Sequence, residues 1–246
     1  MKRITALLLA GVALTLAAAA LAEGNSAARA RLAKQLGINS TDIVVAPIPG
    51  LYRITLGPQI AYVSADGRYL VRGDIINLQT GDNLTAVQRD AARLAYLKQL
   101  GTASMLVFAP PRPKQTLTVF TDIDCHYCRV LEHDRPRLNA MGIAVQYVFF
   151  PRDGRGSPSW QKAVDVWCAA DRKAAFTAAM SGATPKPAHC DAAAVVAGYT
   201  FGQMLGLDGT PAMLTDTGRL IDGYLPPSAL VAVLGQESKP APSDKP

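Results

Sequence analysis

Past its first 22 residues the sequence has no apolar run long enough to cross a bilayer, so a soluble mature chain is expected. Basic residues such as Arg29, Arg53, Arg112, Arg152 and Arg219 are scattered. Without a basic cluster, nucleic-acid binding is poorly supported. No segment repeats, which sets aside a stacked repeat array. Cysteine occurs only four times and histidine three. Cys125 and Cys128 lack the second Cys-x-x-Cys or spaced His pair that would complete a structural zinc site, and Cys168 and Cys190 do not supply that arrangement. Arg129, not His, follows Cys128, which excludes the signature of covalent haem attachment. No metal is therefore expected.

What is present begins with an address. Lys2 and Arg3 make a short basic start, Ile4 to Ala19 is unbroken apolar sequence, and Ala20-Leu21-Ala22 places small residues before Glu23. That is the three-part pattern of a cleavable secretory signal, residues 1–22. A membrane anchor would need a longer run and a basic stop-transfer flank. The remainder, about 224 residues, suffices for one large or two modest domains. The formal charge of +6 falls by two without Lys2 and Arg3, leaving a mild positive balance that favours solubility. Four cysteines in a chain sent to an oxidising compartment make disulfides the default expectation.

The periodicity divides the mature chain. Ser26 to Leu36 has helical spacing and Gly37 ends it. Ile43 to Ala46, Tyr52 to Leu56, Ile60 to Val63, Tyr69 to Val71 and Ile75 to Leu78 are short β-rich runs. Turn signals at Pro49-Gly50, Gly57-Pro58, Asp66-Gly67 and Gly73-Asp74 separate them, which predicts a small antiparallel sheet plus helix over residues 23–84. This α+β module holds too few large apolar side chains to build much core, so it should need a partner surface. Val87, Ala91, Leu94 and Leu97 trace a stripe through Thr85 to Leu100; with the Pro-rich Ala109 to Pro113, residues 85–113 read as a linker helix and hinge.

Residues 114–235 have an α/β pattern. Leu117 to Thr121 is a strand, Arg129 to Ala140 a helix that Pro136 should kink or divide, and Ile143 to Phe150 a second strand. Ser157 to Met180 and Ala192 to Leu205 read as Ala-rich helices. Ala212 to Thr215 and Arg219 to Ile221 form a hairpin around Asp216-Thr217-Gly218, and Ser228 to Leu234 is a last helix. Gln236 to Pro246 reads as a disordered tail.

Cys125-His126-Tyr127-Cys128 lies where a strand ends and a helix begins. A thiol there faces unpaired N–H groups and the positive end of the helix dipole, which stabilise its thiolate. An unshifted thiol of pKa roughly 8.5 is only slightly ionised near neutral pH; lowering it by about two units makes most of it thiolate. Cys125 should be the exposed nucleophile and Cys128, one turn inside, the resolving thiol. His126, between them, can favour the thiolate when protonated. Asp124 should face solvent, Asp122 carries no clear function beyond capping a turn, and His133 and His189 read as surface residues. Cys168 and Cys190 bracket a helix and the segment Thr184 to Ala188. They read as a structural disulfide, with two buried free thiols as the alternative.

Leu36-Gly37-Ile38, Ala46-Pro47-Ile48-Pro49-Gly50 and Ala65-Asp66-Gly67-Arg68 resemble the N-terminal module of DsbC/DsbG-type periplasmic disulfide isomerases, the DsbC branch fitting better. Phe120 to Cys128, Phe150-Pro151-Arg152, Trp167-Cys168-Ala169, Gly209-Thr210-Pro211-Ala212 and Gly223 to Pro227 resemble the catalytic module. The resemblance implies a homodimer of thioredoxin-fold modules, each with a helical insertion, held by paired N-terminal sheets. It implies Cys125 as nucleophile, Cys128 as resolving thiol, Pro211 after Thr210 as a cis-proline, and Cys168–Cys190 as a structural bridge. Tyr127 and Thr210 adjoin the reacting sulfurs as tuning or substrate-contacting residues. The implied partners are unfolded or misoxidised exported proteins and a membrane thiol reductase of DsbD type; no cofactor is needed beyond the redox-active pair. His126 replaces the usual Gly and Asp124 a common Thr, both where redox potential is set. The rival readings are a cysteine-independent chaperone, a DsbA-like oxidase and a DsbG-like reductase of oxidised single cysteines.

Overall fold

A computed structural model describes residues 24–237. The expected signal, 1–22, lies outside the described residues, as does the tail from residue 238; Gln236 and Glu237 close the last helix instead. Among the described residues no helix is long and apolar enough to cross a membrane. The chain divides into two compact units, Met1–Ala86 and Val87–Pro246.

In the first unit, helix α1 (24–36) is followed by an antiparallel meander of β1 (Ile43–Val45), β2 (Leu51–Leu56), β3 (Gln59–Ser64) and β4 (Leu70–Val71), in that spatial order. Gly37, at φ +66°, supplies the left-handed residue that ends α1. Alternate residues of β2 point inward, so Tyr52 and Ile54 meet Ile43, Ala61 and Val63 beneath Leu32 of α1. The opposite face of β3 is covered too: Ile60 and Tyr62 are buried, and the Tyr62 hydroxyl shares a hydrogen bond with Thr85. The run Ile75 to Leu78 forms no strand. Only Ile76 bridges to Asn83, while Asn77 closes a turn by accepting from the amides of Gln79 and Gly81. Ile76 and Leu78 are left exposed, Leu78 to 93%.

The second unit is a five-stranded sheet between two helical layers. Helix α2 (Leu84–Leu100) begins at the end of the first unit and continues into the second, whose other elements are β5 (Leu106–Phe108), β6 (Gln115–Thr121), α3 (His126–Ala140), β7 (Ile143–Phe149), α4 (Pro158–Cys168), α5 (Arg172–Met180), α6 (Ala193–Leu205), β8 (Ala212–Thr215), β9 (Leu220–Asp222) and α7 (Pro227–Glu237). The strand order is β5-β7-β6-β8-β9, with β6 and β7 parallel and the other pairs antiparallel. All seven residues of β7 are buried, as a strand covered on both faces requires. On one face Leu117, Val119, Val145, Tyr147 and Met213 pack with Leu131, Leu138, Val166, Phe176 and Leu230 of the α3, α4, α5 and α7 layer. On the other, Phe120, Val148 and Leu214 pack with Phe201 of α6 and with Tyr96, Leu97 and Leu100 of α2.

Four expectations change. Residues 85–113, read as linker and hinge, contain the sheet strand β5 and a helix whose last turns pack on the sheet; three apolar residues ahead of a Pro-rich run carry no periodicity to announce a strand. The single helix over Ser157 to Met180 is two, because Asp171 caps a new start by accepting from the amide of Ala174 at 3.0 Å. Helix α3 begins at His126 rather than Arg129. It also runs through Pro136 without ending, since only one intrahelical hydrogen bond is lost there.

Helix α6 lies close on β7 because Gly198 and Gly202 face it. A Cβ at Gly198 would stand 2.6 Å from Val148 Cγ1 and 3.0 Å from the Phe149 carbonyl oxygen. The backbone oxygen cannot step aside. Gly198→Ala is therefore expected to destabilise the unit by about 1–3 kcal/mol despite alanine's better helix propensity. Gly235→Ala, in open space on α7, should be neutral or mildly stabilising. Urea-unfolding midpoints check both.

Candidate active site

Strand β6 delivers the chain to a tight turn in which the Cys125 amide donates to the Asp122 carbonyl at 3.1 Å. Cys125 is then the N-cap of α3: its Sγ accepts from the Cys128 amide at 3.3 Å. Both cysteines are free thiols. The Cys128 thiol donates to Cys125, and this is the largest influence holding the Cys125 thiol down to about 5. Burial opposes it; Thr210, the Cys128 N–H and the Arg152 charge act in the same direction as the Cys128 thiol. Cys128 moves the opposite way. Burial pushes its thiol up, and donation to Cys125, with the negative charge there, raises it further. One sulfur is thus ionised at neutral pH while its neighbour one turn away keeps its proton.

Cys125 exposes only 3% of its surface, less than the exposed thiol expected from sequence. The Thr210–Pro211 peptide is cis, and the Cys125 thiol donates to the Thr210 carbonyl at 3.1 Å. Thr210 therefore acts both ways on this sulfur. Its carbonyl suits the thiol, while its buried hydroxyl, with no directed partner, favours the anion. His126 and Tyr127 are exposed beside the pair, their rings edge to face at 5.3 Å. His133 and His189 are exposed as well.

Sequence reasoning gave Asp122 nothing beyond capping a turn; it does cap that turn, through the Asp124 amide, and it also holds Arg152. It is 1% exposed and accepts from the Asp124 amide at 2.8 Å, the Arg152 amide at 2.9 Å and Arg152 Nε at 3.2 Å. The parallel register pairs Thr121 with Phe149, so the residues following β6 and β7 emerge side by side. Burial works against the Arg152 charge, but the bond and charge of Asp122, with the two sulfurs, raise its pKa on balance. A buried Asp just after an apolar strand, with Phe150-Pro151-Arg152 after its neighbour, was the available signal. Asp124 is exposed, as expected, and is neutralised by Lys162 at 2.7 Å and Arg129 at 3.4 Å. It therefore opposes a Cys125 thiolate little.

Cys168, at the end of α4, is bonded to Cys190, with 5.4 Å between their Cα atoms and 22 residues of sequence separation. Closing a loop of that length restricts the unfolded chain by roughly 3 kcal/mol in the chain-entropy account. With Cys168 and Cys190 bonded to each other, Cys125 and Cys128 are left as free thiols.

Because Cys125 is an acid whose folded pKa is lowered, its ionisation stabilises the reduced protein progressively from about pH 5 upward, and that stabilisation is lost as pH falls through about 5. The ultraviolet absorbance of the thiolate should titrate near pH 5 as a single step and vanish in Cys125→Ser. In Arg152→Met the midpoint should rise yet stay below that of a free thiol, because the hydrogen bonds from Cys128 remain.

Known proteins match this chain along its length. The family described as "Disulfide bond isomerase protein N-terminal domain" matches residues 17–86, and the thioredoxin-like domain family matches residues 103–238. The thiol:disulfide interchange protein DsbC of Dickeya dadantii is 35% identical over 223 residues, covering 90% of this chain and 91% of that protein. DsbC of Escherichia coli K12 is 33% identical, covering 89% and 91%. DsbC of Haemophilus influenzae is also 33% identical, covering 92% and 97%. Among solved structures, a disulfide interchange protein from Neisseria gonorrhoeae superposes with a TM-score of 0.51 at 27% identity, covering 56% of this chain and 99% of that one. With two thiols of opposed acidity at the start of α3 and matches that span both units, the chain belongs to the DsbC family of thiol:disulfide interchange proteins.

Proposed function

We propose that this thiol:disulfide interchange protein acts as a homodimeric periplasmic isomerase of exported proteins, with Cys125 as nucleophile and Cys128 as resolving thiol. The observation that carries this reading is the opposed acidity of the two sulfurs, one held near 5 and the other raised. The Cys125 thiolate attacks one sulfur of a wrong client disulfide, forming a mixed disulfide and releasing a client thiolate. If another client thiolate attacks the mixed bond, Cys125 leaves as thiolate and the client disulfide has moved with no net oxidation. If Cys128 loses its proton and attacks Cys125 Sγ instead, the client leaves with two thiols and the enzyme keeps a Cys125–Cys128 disulfide. Two electrons must then come from a thiol reductase, for which a membrane protein of DsbD type is the fitting class. No cofactor beyond the cysteine pair enters either route. A raised Cys128 pKa favours the first route, because it delays self-oxidation until the client has had time to rearrange.

Dimerisation is supported by the matched N-terminal domain and by apolar side chains that this small unit leaves exposed, among them Val44, Val45, Leu70 and Val71. Two catalytic units on one assembly would hold an unfolded client longer than one. The leader-like Met1 to Ala22 and the stable Cys168–Cys190 bridge support export to an oxidising compartment.

Refolding of a scrambled multi-disulfide protein tests the reading against a cysteine-independent chaperone. Cys125→Ser should drop reactivation to the uncatalysed rate while suppression of aggregation persists. Cys128→Ala should accumulate client-linked mixed disulfides, visible on non-reducing gels. Full reactivation by Cys125→Ser would end the enzyme reading, and a fully oxidised pair in the periplasm would favour an oxidase.

A further inference from the structure

We infer that His126, Tyr127 and Tyr224 form an aromatic strip that receives the client side chain next to the reacting cysteine and prefers apolar or aromatic residues there. The inference deepens the exchange reading above and rests on it. Tyr127 is 57% exposed, on the first turn of α3 and two residues from Cys125. Its ring stacks on that of Tyr224, with centroids 6.0 Å apart and planes 17° apart, while the His126 ring meets it edge to face at 72°. Tyr224, in the segment that leads into α7, is fixed in place: its hydroxyl donates to Asp134 Oδ2 of α3 at 2.7 Å. That bond, with burial adding, pushes the Tyr224 hydroxyl up to about 12, so it stays a donor at any physiological pH.

The position follows from the chemistry. A client sulfur bonded to Cys125 places its own flanking residue about 3.4 Å along an extended chain, within reach of the neighbouring rings. The Thr210 carbonyl already occupies another side of the sulfur. The class of side chain follows from the rings. Asp124 is matched by Lys162 and Arg129, and Asp134 Oδ2 accepts from the Tyr224 hydroxyl. Exposed ring surface beside the sulfur favours apolar and aromatic groups.

The test uses the full-length mature enzyme, kept reduced by excess glutathione, and two disulfide-linked peptides that differ only in the residue beside cysteine, Phe or Ser, compared by kcat/KM. The wild type should prefer Phe by roughly fivefold. In Tyr224→Ala that ratio should fall to about one; if that variant fails to fold, Tyr224→Leu keeps apolar bulk without a flat face and should show the same fall. A wild-type ratio of one, a ratio unchanged in a folded Tyr224 variant, or a stronger preference for Arg than for Phe would overturn the strip. Hydroxyethyl disulfide separates the two levels. If the wild type cannot reduce it, the exchange reading itself is gone; normal turnover with a peptide ratio of one removes only the strip.

Discussion

Two sulfur atoms of opposite acidity share the first turn of one helix, and most of the catalytic unit is arranged to keep them so. Cys125 takes hydrogen bonds from the thiol and the amide of Cys128, while Cys128 is wholly buried and donates. Neither sulfur could hold its state alone. A thiolate as buried as Cys125 would be costly without those donors, and a thiol so close to it is held protonated by its charge. The asymmetry therefore belongs to the pair rather than to either residue.

The remainder of the site supports that pair from the ends of two parallel strands. β6 and β7 run side by side in the most buried part of the sheet, and their register brings Asp122 and Arg152 together beneath the turn. A buried carboxylate next to a thiolate would raise the sulfur's pKa; Arg152 offsets that charge and adds attraction for both sulfurs. Asp124 is handled differently, at the surface, by Lys162 and Arg129. Both carboxylates near Cys125 are thus matched by cations.

Much of this was legible in the sequence. The spacing of Cys125 and Cys128 at a strand-to-helix change points to thiol exchange, because a helix start supplies N–H donors and a positive dipole end to a thiol. Short hairpin runs announced the first unit, and alternating apolar strands and helices announced the second. Local patterns failed where the stabilising partner was distant in sequence. Leu106 to Phe108 is a strand only because β7 lies beside it, and Ile75 to Leu78 is not one because its pairing with the chain around Asn83 stops at a single bridge. Asp171 divided an Ala-rich run whose composition alone favoured one continuous helix.

The sequence by itself determined where the Cys-x-x-Cys pair sits, the order of most elements and the division into a small hairpin-rich module and an α/β module, since each follows from near-neighbour chemistry and periodicity. Only the tertiary structure decided how those thiols behave. The closeness of Thr210 to Cys125, 85 residues away along the chain, the 30-residue reach of Arg152 to Asp122 and the docking of Tyr224 on α3 are products of sheet register and helix packing. Burial and charge act through space, so the acidity of Cys125 and Cys128 could be read only once the fold had brought those groups together.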